Sequence, residues 1–238
     1  VEQNGSGGFT AQLAMVTYQA GGASVAVPSL AIVSKGDRIG FAGRTIVNGD
    51  LPGGHADGLL LPVSGYWSPA AGLAMWRQCT ALTFGSLRFA NLTLERHGLT
   101  LCPAKGVPIL LYGAGGLHVA AGVPSLDLTG RLGTTSIAIR SGPVGIAYPG
   151  TVAARQLLVT LGPRDTASTF SVSNLTAQIG KRIDGRFGGT GVKLFSVPMD
   201  IVDAGGAWSY ANGKLAIGEG AFRLVDRQKP ARFEPLTA

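Results

Sequence analysis

Charged side chains are scarce in this sequence, at 14% of its 238 residues, and this scarcity limits the kinds of protein that it can encode. Soluble domains usually carry about 25% charged residues. Part of the 45% apolar residues is therefore expected to stay uncovered, or to be covered by a ligand or partner. The net charge is +7, but the basic residues are scattered and lack interleaved aromatics. This distribution argues against a nucleic-acid partner and fits a general attraction to anionic surfaces such as lipid head groups.

Residues that carry chemistry are also few, with only three histidines and two cysteines in the chain. There is no Cys-x-x-Cys, no Gly-x-Ser-x-Gly elbow and no dinucleotide fingerprint. Asp200 and Asp203 lack further oxygen ligands nearby, so we predict that they are turn residues and not a calcium site. The sequence predicts no catalytic residue, no metal site and no cofactor, and we expect that the protein is not an enzyme.

The two cysteines, Cys79 and Cys102, each lie near the end of an apolar run. This placement favours a disulfide between neighbouring strands, which would put the chain in an oxidising compartment. In the chain-entropy model such a bond contributes about 3 kcal/mol. The alternative is two buried free thiols in a reducing compartment.

Long apolar runs are absent, and the run at 58–62 is far too short to cross a bilayer. The first residues include neither an initiator Met nor a basic region, so the chain is expected to be a mature product or a fragment of a longer protein. We expect residues 1–238 to form a single elongated β domain. Proline and glycine near 142–150 mark a sub-boundary there.

Glycine and proline are abundant, with 37 and 13 copies. They cost about 1 and about 3 kcal/mol in a helix interior, so very little helix is expected. Alternating apolar runs predict roughly fifteen short strands, and the absence of helical crossovers predicts that these pair sequentially and antiparallel. The predicted fold class is all-β, an elongated and twisted antiparallel meander. We expect a loop at 51–57, turns at 48–50 and 95–98, and a break at Asn174.

The clearest local signal is Asn212-Gly213, which is typical of a tight type I′ hairpin turn. Trp208 and Tyr210 share one face before this turn, and Leu215 and Ile217 share the apolar face after it. A further run at 221–225 follows a Gly-Glu-Gly break, which predicts a three-stranded meander.

Many of the predicted strands carry Leu, Val, Ile or Phe on one face and small, weakly polar residues on the other. The large residues of the later strands are candidates for an exposed, ligand-lining apolar face. For the aromatic residues among them, a closed core is the competing interpretation. The candidates are Leu157, Val159, Leu161, Val172, Ile183, Phe187, Trp208, Tyr210, Leu215, Ile217 and Phe222.

Several segments carry a family resemblance. They are Arg77-Gln78-Cys79, 99–103, 106–110, 206–208, 212–217 and 224–226. Together they resemble a central portion, over 58–226, of a YdbH-like protein, a member of the broader AsmA-like group that includes TamB.

The resemblance implies a protein that is anchored in the inner membrane of a Gram-negative bacterium and reaches across the periplasm. It implies a long antiparallel sheet curled into an open, apolar groove (a β-taco), along which phospholipids pass to the outer membrane. The expected ligand is a phospholipid or another acyl-chain molecule, without a cofactor. Envelope proteins are expected partners, and membrane contact is expected through parts outside this sequence. The alternative is a structural β-sandwich or β-solenoid module of the envelope, built for protein contact or adhesion.

Overall fold

The computed structural model describes residues 2–4, 8–51, 54–180 and 182–238. These residues form nineteen strands, and every strand pairing described below is antiparallel. The helical content of the described residues is one 3-10 turn, Arg164–Thr166. None of this described part is a helix long and apolar enough to cross a bilayer. The predicted all-β, antiparallel class is therefore confirmed, although the strands are longer and more numerous than expected.

The contacts divide the chain into two units, Val1–Val123 and Pro124–Ala238. The stretch near 142–150 contains a strand and lies inside the second unit. A single domain over 1–238 with a sub-boundary there stays a prediction.

The first unit contains ten strands. They are β1 (Glu2–Asn4), β2 (Gly8–Ala20), β3 (Ala23–Lys35), β4 (Arg38–Leu51), β5 (Gly54–Ser68), β6 (Gly72–Met75), β7 (Thr80–Phe89), β8 (Leu92–Pro103), β9 (Leu110–Gly113) and β10 (Gly116–Val123). Strands β1 to β5 pair in sequence. Strand β5 then pairs with β6 through its second half and with β7 through its first half.

The later strands of the first unit pair in a closed circuit, in the order β5, β7, β8, β10, β9, β6 and back to β5. The best-buried residues of the unit lie on or beside this circuit, including Ala56, Ala74, Phe84 and Ile109. Phe84 is 2% exposed and is the large side chain that anchors this small core. This closure matters because it pairs backbone N–H and C=O groups that an open sheet edge would leave without partners.

The disulfide between Cys79 and Cys102 is formed. Cys79 directly precedes β7, and Cys102 lies near the end of β8, its antiparallel neighbour. The predicted bond between neighbouring strands is confirmed, and it ties β7 to β8 at one end of the circuit.

The second unit contains nine strands and the 3-10 turn. The strands are β11 (Leu126–Leu132), β12 (Thr135–Ser141), β13 (Val144–Tyr148), β14 (Gly150–Leu161), β15 (Ser168–Ile179), β16 (Ile183–Lys193), β17 (Met199–Ala211), β18 (Lys214–Asp226) and β19 (Leu236–Thr237). Strand β12 pairs with β11 and with the second half of β14, while β13 pairs with the first half of β14. From β14 to β19 the strands pair in sequence.

Several predicted interruptions are wrong, because the strands run through them. Residues 48–51 belong to β4 and 54–57 to β5, so the loop predicted at 51–57 is strand wherever the structure describes it. The turn predicted at 95–98 lies within β8, and the actual turn is Ala90-Asn91. No break occurs at Asn174, which pairs with both Arg155 and Gly188. Gly49 and Gly54 suit these strands because a Cβ atom on either would clash with a neighbouring strand, at Ala23 and at the backbone of Arg88 respectively.

The three-stranded meander predicted around Asn212-Gly213 is also corrected. The turn itself is present, with positive φ at both residues. However, β18 is continuous over Lys214–Asp226, so the Gly218-Glu219-Gly220 segment does not end a strand. It forms a local irregularity with Glu219 at φ 50°, opposite a register shift in β17. A bulge absorbs the extra residues and the hairpin continues.

Candidate functional site

The eleven candidate residues all lie on one face of the second unit's sheet. Directly opposed residues of antiparallel strands project from the same face. Leu157 is opposite Val172, while Ile183, Tyr210 and Leu215 form a row across three strands. Trp208 is opposite Ile217.

The remaining candidates join this face through other rows and through alternation along a strand. A second row of directly opposed residues crosses five strands, and its members are Val159, Phe170, Val192, Ile201 and Leu224. Phe222 lies two residues before Leu224 on β18 and therefore shares this face. Leu161 lies two residues after Val159, and Phe187 is opposite Leu175 and Gly206. The structure thus brings the eleven side chains onto one surface, which we call the apolar face.

None of these eleven side chains is fully buried. Leu215 and Ile217 are 63% and 64% exposed, and Tyr210 is 45% exposed. The other candidates are half-buried or, like Phe222, exposed. A closed core therefore does not account for them, because core side chains are normally almost wholly removed from solvent.

Two aromatic rings on the apolar face lie over glycines of the neighbouring strand. A Cβ atom built on Gly185 would lie 2.5 Å from the Trp208 ring, and one built on Gly206 would lie 3.4 Å from the Phe187 ring. Gly185 is directly opposite Trp208, and Gly206 is directly opposite Phe187. The Trp208 ring occupies the space that a side chain at residue 185 would fill, whereas the Phe187 ring would only touch a Cβ atom at residue 206.

The apolar face stays continuous along β14 across a residue with positive φ. Ala154 and Leu157 are three residues apart, an odd separation that would put them on opposite faces of a regular strand. Gln156, which lies between them, adopts φ 53° while the register with β15 is unchanged, and the cross-strand rows through β16 and β17 place both Ala154 and Leu157 on the apolar face. Simple alternation therefore missed Val152 and Ala154, as well as their partners Leu175 and Ala177.

The opposite face of the same sheet is polar. It carries ion pairs between Arg186 and Glu219, at 3.4 Å, and between Arg223 and Asp203, at 3.0 Å. Asp203 lies in β17 and not in a turn, which corrects the prediction for that residue. The sheet of the second unit is thus amphipathic, with charge on one face and exposed apolar side chains on the other.

Asp200 is also a strand residue, in β17, which corrects the prediction that it lies in a turn. It is 6% exposed and forms an ion pair with Arg227 at 3.0 Å. Neighbouring Asp226 is buried and accepts backbone hydrogen bonds from Gln228 and Arg232, which hold the pKa of its carboxyl below the ordinary range. These contacts attach the C-terminal segment to the end of the sheet, where β19 pairs with β18.

The first unit carries a comparable apolar row that the sequence analysis did not single out. Cross-strand pairs connect the members of this row from β2 to β6. Its large members are Leu13, Leu30, Ile32, Ile39, Phe41, Val63, Trp67, Leu73 and Met75. Phe41 lies over Gly65, the residue directly opposite it, and so repeats the arrangement of the second unit.

A polar cluster in the first unit joins three strands. The ring nitrogens of His55 lie 2.9 Å from Asp50 and 3.2 Å from Asp57, and the Ser86 hydroxyl donates to Asp57 at 2.7 Å. The Asp50 hydrogen bond is the main cause that raises the pKa of His55, and the Ser86 hydrogen bond is the main cause that lowers the pKa of Asp57. Arg88 completes the cluster at 3.7 Å from Asp57. The sequence gives little signal for it, because Ser86 and Arg88 are distant along the chain from Asp50, His55 and Asp57.

The charged clusters do not assemble a metal site. In the described ranges, no three His, Cys, Asp or Glu side chains converge in a metal-binding arrangement. The feature that distinguishes the chain is instead the apolar face. Fold and face together define an all-β protein whose antiparallel sheet exposes a broad apolar surface.

Comparison with known families identifies the family of the chain. It belongs to the YdbH-like family, whose model is described as intermembrane phospholipid transport protein YdbH and matches residues 6–238. The match confirms the family resemblance and extends beyond the 58–226 on which it was based. Neither a curated protein nor a solved structure matched the chain. The family is one of phospholipid transport between membranes, and the disulfide fits the oxidising compartment that such a location implies.

Proposed function

We propose that the apolar face of the second unit binds the acyl chains of phospholipids and forms one segment of a path between two membranes. In this proposal the chain is not catalytic and works in the periplasm of a Gram-negative bacterium. The observation that carries the proposal is the exposure of a continuous set of large apolar side chains on one face of an antiparallel sheet.

The energetics favour an acyl chain as the occupant of this face. Each methylene removed from water contributes about 0.8 kcal/mol, so a chain of several methylenes is retained even by a partly open surface. Each strand adds an inward side chain every second residue, and the rows run across β14 to β18 without a charged residue among their large members. A lipid tail can therefore move along the face without crossing a charged barrier.

The alternative, a structural β-sandwich or β-solenoid module, requires a sealed core between layers. Exposures of 63% and 64% at Leu215 and Ile217 do not favour it. We therefore retain lipid binding as the single proposed function.

A pair of substitutions on neighbouring residues of β18 tests the proposal. Ile217→Asp puts a charge on the apolar face, whereas Ala216→Asp puts the same charge on the polar face, where Ala216 is opposite Ser209. Native mass spectrometry of protein purified without detergent should show bound phospholipid in the unsubstituted chain and in Ala216→Asp, and a loss of about tenfold or more in Ile217→Asp. Circular dichroism checks that both variants fold. Equal lipid occupancy in the two folded variants, or no lipid in the unsubstituted chain, would contradict the proposal.

A further inference from the structure

Two arginines of the first unit converge on the ring of Tyr66. The Arg38 guanidinium carbon lies 3.5 Å from the ring centre, and that of Arg77 lies 5.9 Å from it. Both arginines are exposed, while Tyr66 is half-buried. Cation–π contact of this kind orients a guanidinium against the ring face, and the N–H groups around its rim remain free to donate.

Neither arginine is neutralised by a carboxylate. Among the residues described, the ion pairs use His55 and other arginines, and neither Arg38 nor Arg77 takes part in one. Lys35 is directly opposite Arg38, and the acidic residue nearest in sequence is the exposed Asp37 in the adjoining turn. The cationic side chains of Lys35, Arg38 and Arg77 therefore outnumber the single neighbouring carboxylate, that of Asp37.

The position of Arg77 is fixed by the residues around it. Trp76 adopts φ 54°, its indole N–H donates to the Pro62 carbonyl at 2.7 Å, and its backbone N–H donates to the Ser64 carbonyl at 2.9 Å. Two residues after Arg77, Cys79 is held by its disulfide to Cys102. Arg77 thus lies on a short segment that is anchored on both sides.

Arg38 and Tyr66 are fixed by the sheet. Arg38 is the first residue of β4, and Tyr66 lies near the end of β5, opposite Gly40 of β4 and opposite Ala74 of β6, which is wholly buried. The cluster therefore lies where three strand ends meet. Trp67, which follows Tyr66 and projects from the apolar side of the same strands, is 43% exposed.

We propose that Arg38 and Arg77, positioned by the Tyr66 ring, form a binding site for a phosphate group. Paired guanidiniums match the oxygens of a phosphate through charge-assisted hydrogen bonds. The group can belong to a phospholipid head group or to free phosphate. Tyr66 and Trp67 are consecutive residues of β5, so the site lies on the face opposite to Trp67 and the apolar row of the first unit, at the ends of the same strands.

The site is tested on the full chain with three arginine variants. Arg38→Gln and Arg77→Gln each remove one guanidinium of the site, and Arg96→Gln removes an equal charge from an exposed arginine of β8 outside the cluster. One arm measures binding of inorganic phosphate by calorimetry. The other measures cosedimentation with vesicles of phosphatidylcholine, with and without phosphatidylglycerol.

We expect Arg38→Gln and Arg77→Gln to weaken binding by about tenfold each, and Arg96→Gln by less than about twofold. Loss in the vesicle arm assigns the site to a lipid head group, and loss in the phosphate arm alone assigns it to a soluble anion. If all three variants bind alike in both arms, the site is overturned.

Tyr66 is a positioning residue, and a second pair of variants tests that role. Tyr66→Phe keeps the ring and should keep binding, whereas Tyr66→Leu should lose it while circular dichroism remains unchanged. If Tyr66→Leu binds as well as the unsubstituted chain, the ring does not position the arginines and this part of the proposal is wrong. Phosphate affinity tests the anion site, and the amount of phospholipid retained on purification tests the apolar face. One of these two proposals can therefore be contradicted while the other stands.

Discussion

Glycines that lie under aromatic rings set the local shape of the apolar face. At Gly185 the absence of a side chain lets the Trp208 ring lie against the neighbouring strand. The same arrangement occurs at Gly65 under Phe41 in the first unit. The abundance of glycine in the sequence therefore has a packing role in addition to its role in turns.

We predict that Gly185→Ala destabilises the protein. The added methyl group would lie 2.5 Å from the Trp208 ring and would also meet the backbone carbonyl of Thr176. Overpacking of this kind costs about 1–3 kcal/mol. Urea unfolding, followed by tryptophan fluorescence, measures the loss.

Gly218→Ala is the matched control. It lies in β18, and a Cβ atom there would have no neighbour within 4 Å. Its free energy of unfolding should stay within about 0.5 kcal/mol of that of the unsubstituted chain. Equal losses for the two substitutions would show that Trp208 does not need the space over Gly185.

At the scale of strands, His55 links β4, β5 and β7. Both of its ring nitrogens contact carboxylates, so the protonated imidazolium is the form that can donate to both. Asp50 and Asp57 favour this charged form, whereas Arg88 on β7 opposes it.

This cluster predicts a pH dependence of stability. The pKa of His55 is raised above its ordinary value of 6.5. Its contribution is therefore fully present below pH 6.5 and is lost as the pH rises through the folded-state pKa. For Asp57 the pKa is lowered from 3.8, so its contribution is present above pH 3.8 and is lost as the pH falls through the folded-state value.

Melting temperatures measured across this range check the prediction. The unsubstituted chain should lose thermal stability as the pH rises above 6.5, and His55→Gln should lack that decline. His97→Gln, in β8, should retain it. A decline of the same size in His55→Gln would show that another group is responsible.

The hairpin between β17 and β18 illustrates what the sequence could reveal about the elements. Asn212-Gly213 fixes the turn, and alternation from Trp208 to Ile217 fixes the face, so both were predictable from local rules. The bulges were not, because Gly218-Glu219-Gly220 reads equally well as a turn. Pairing with β17 decides that this segment is a bulge and not a turn. Local sequence cannot show this, because the pairing depends on the partner strand as well.

The same limit applies to the sites. The apolar face could be predicted because its residues recur every second position on adjacent strands. The cluster around His55 and the arginines around Tyr66 could not, because Arg38, Tyr66 and Arg77 meet only after β4, β5 and β6 pair. Long-range juxtaposition of scattered polar residues leaves no periodic signal in the sequence.

Considered as a whole, the chain consists of antiparallel sheet with little enclosed core. Few side chains are fully buried, and Phe84 is the largest of them among the residues described. Many large apolar side chains remain exposed instead, from Leu13 to Leu236. A low charge content and a high apolar content, both visible in the sequence, thus correspond to a protein that keeps apolar surface accessible.

Site-specific photo-crosslinking along β18 tests the central claim most directly. A photoreactive residue is placed in turn at Leu215, Ala216 and Ile217, and the protein is irradiated in the presence of phospholipid. Leu215 and Ile217 are opposite Tyr210 and Trp208 on the apolar face, and Ala216 is opposite Ser209 on the polar face. The account predicts lipid adducts at Leu215 and Ile217 and little or none at Ala216. Equal crosslinking at all three positions, or none at any of them, would contradict it.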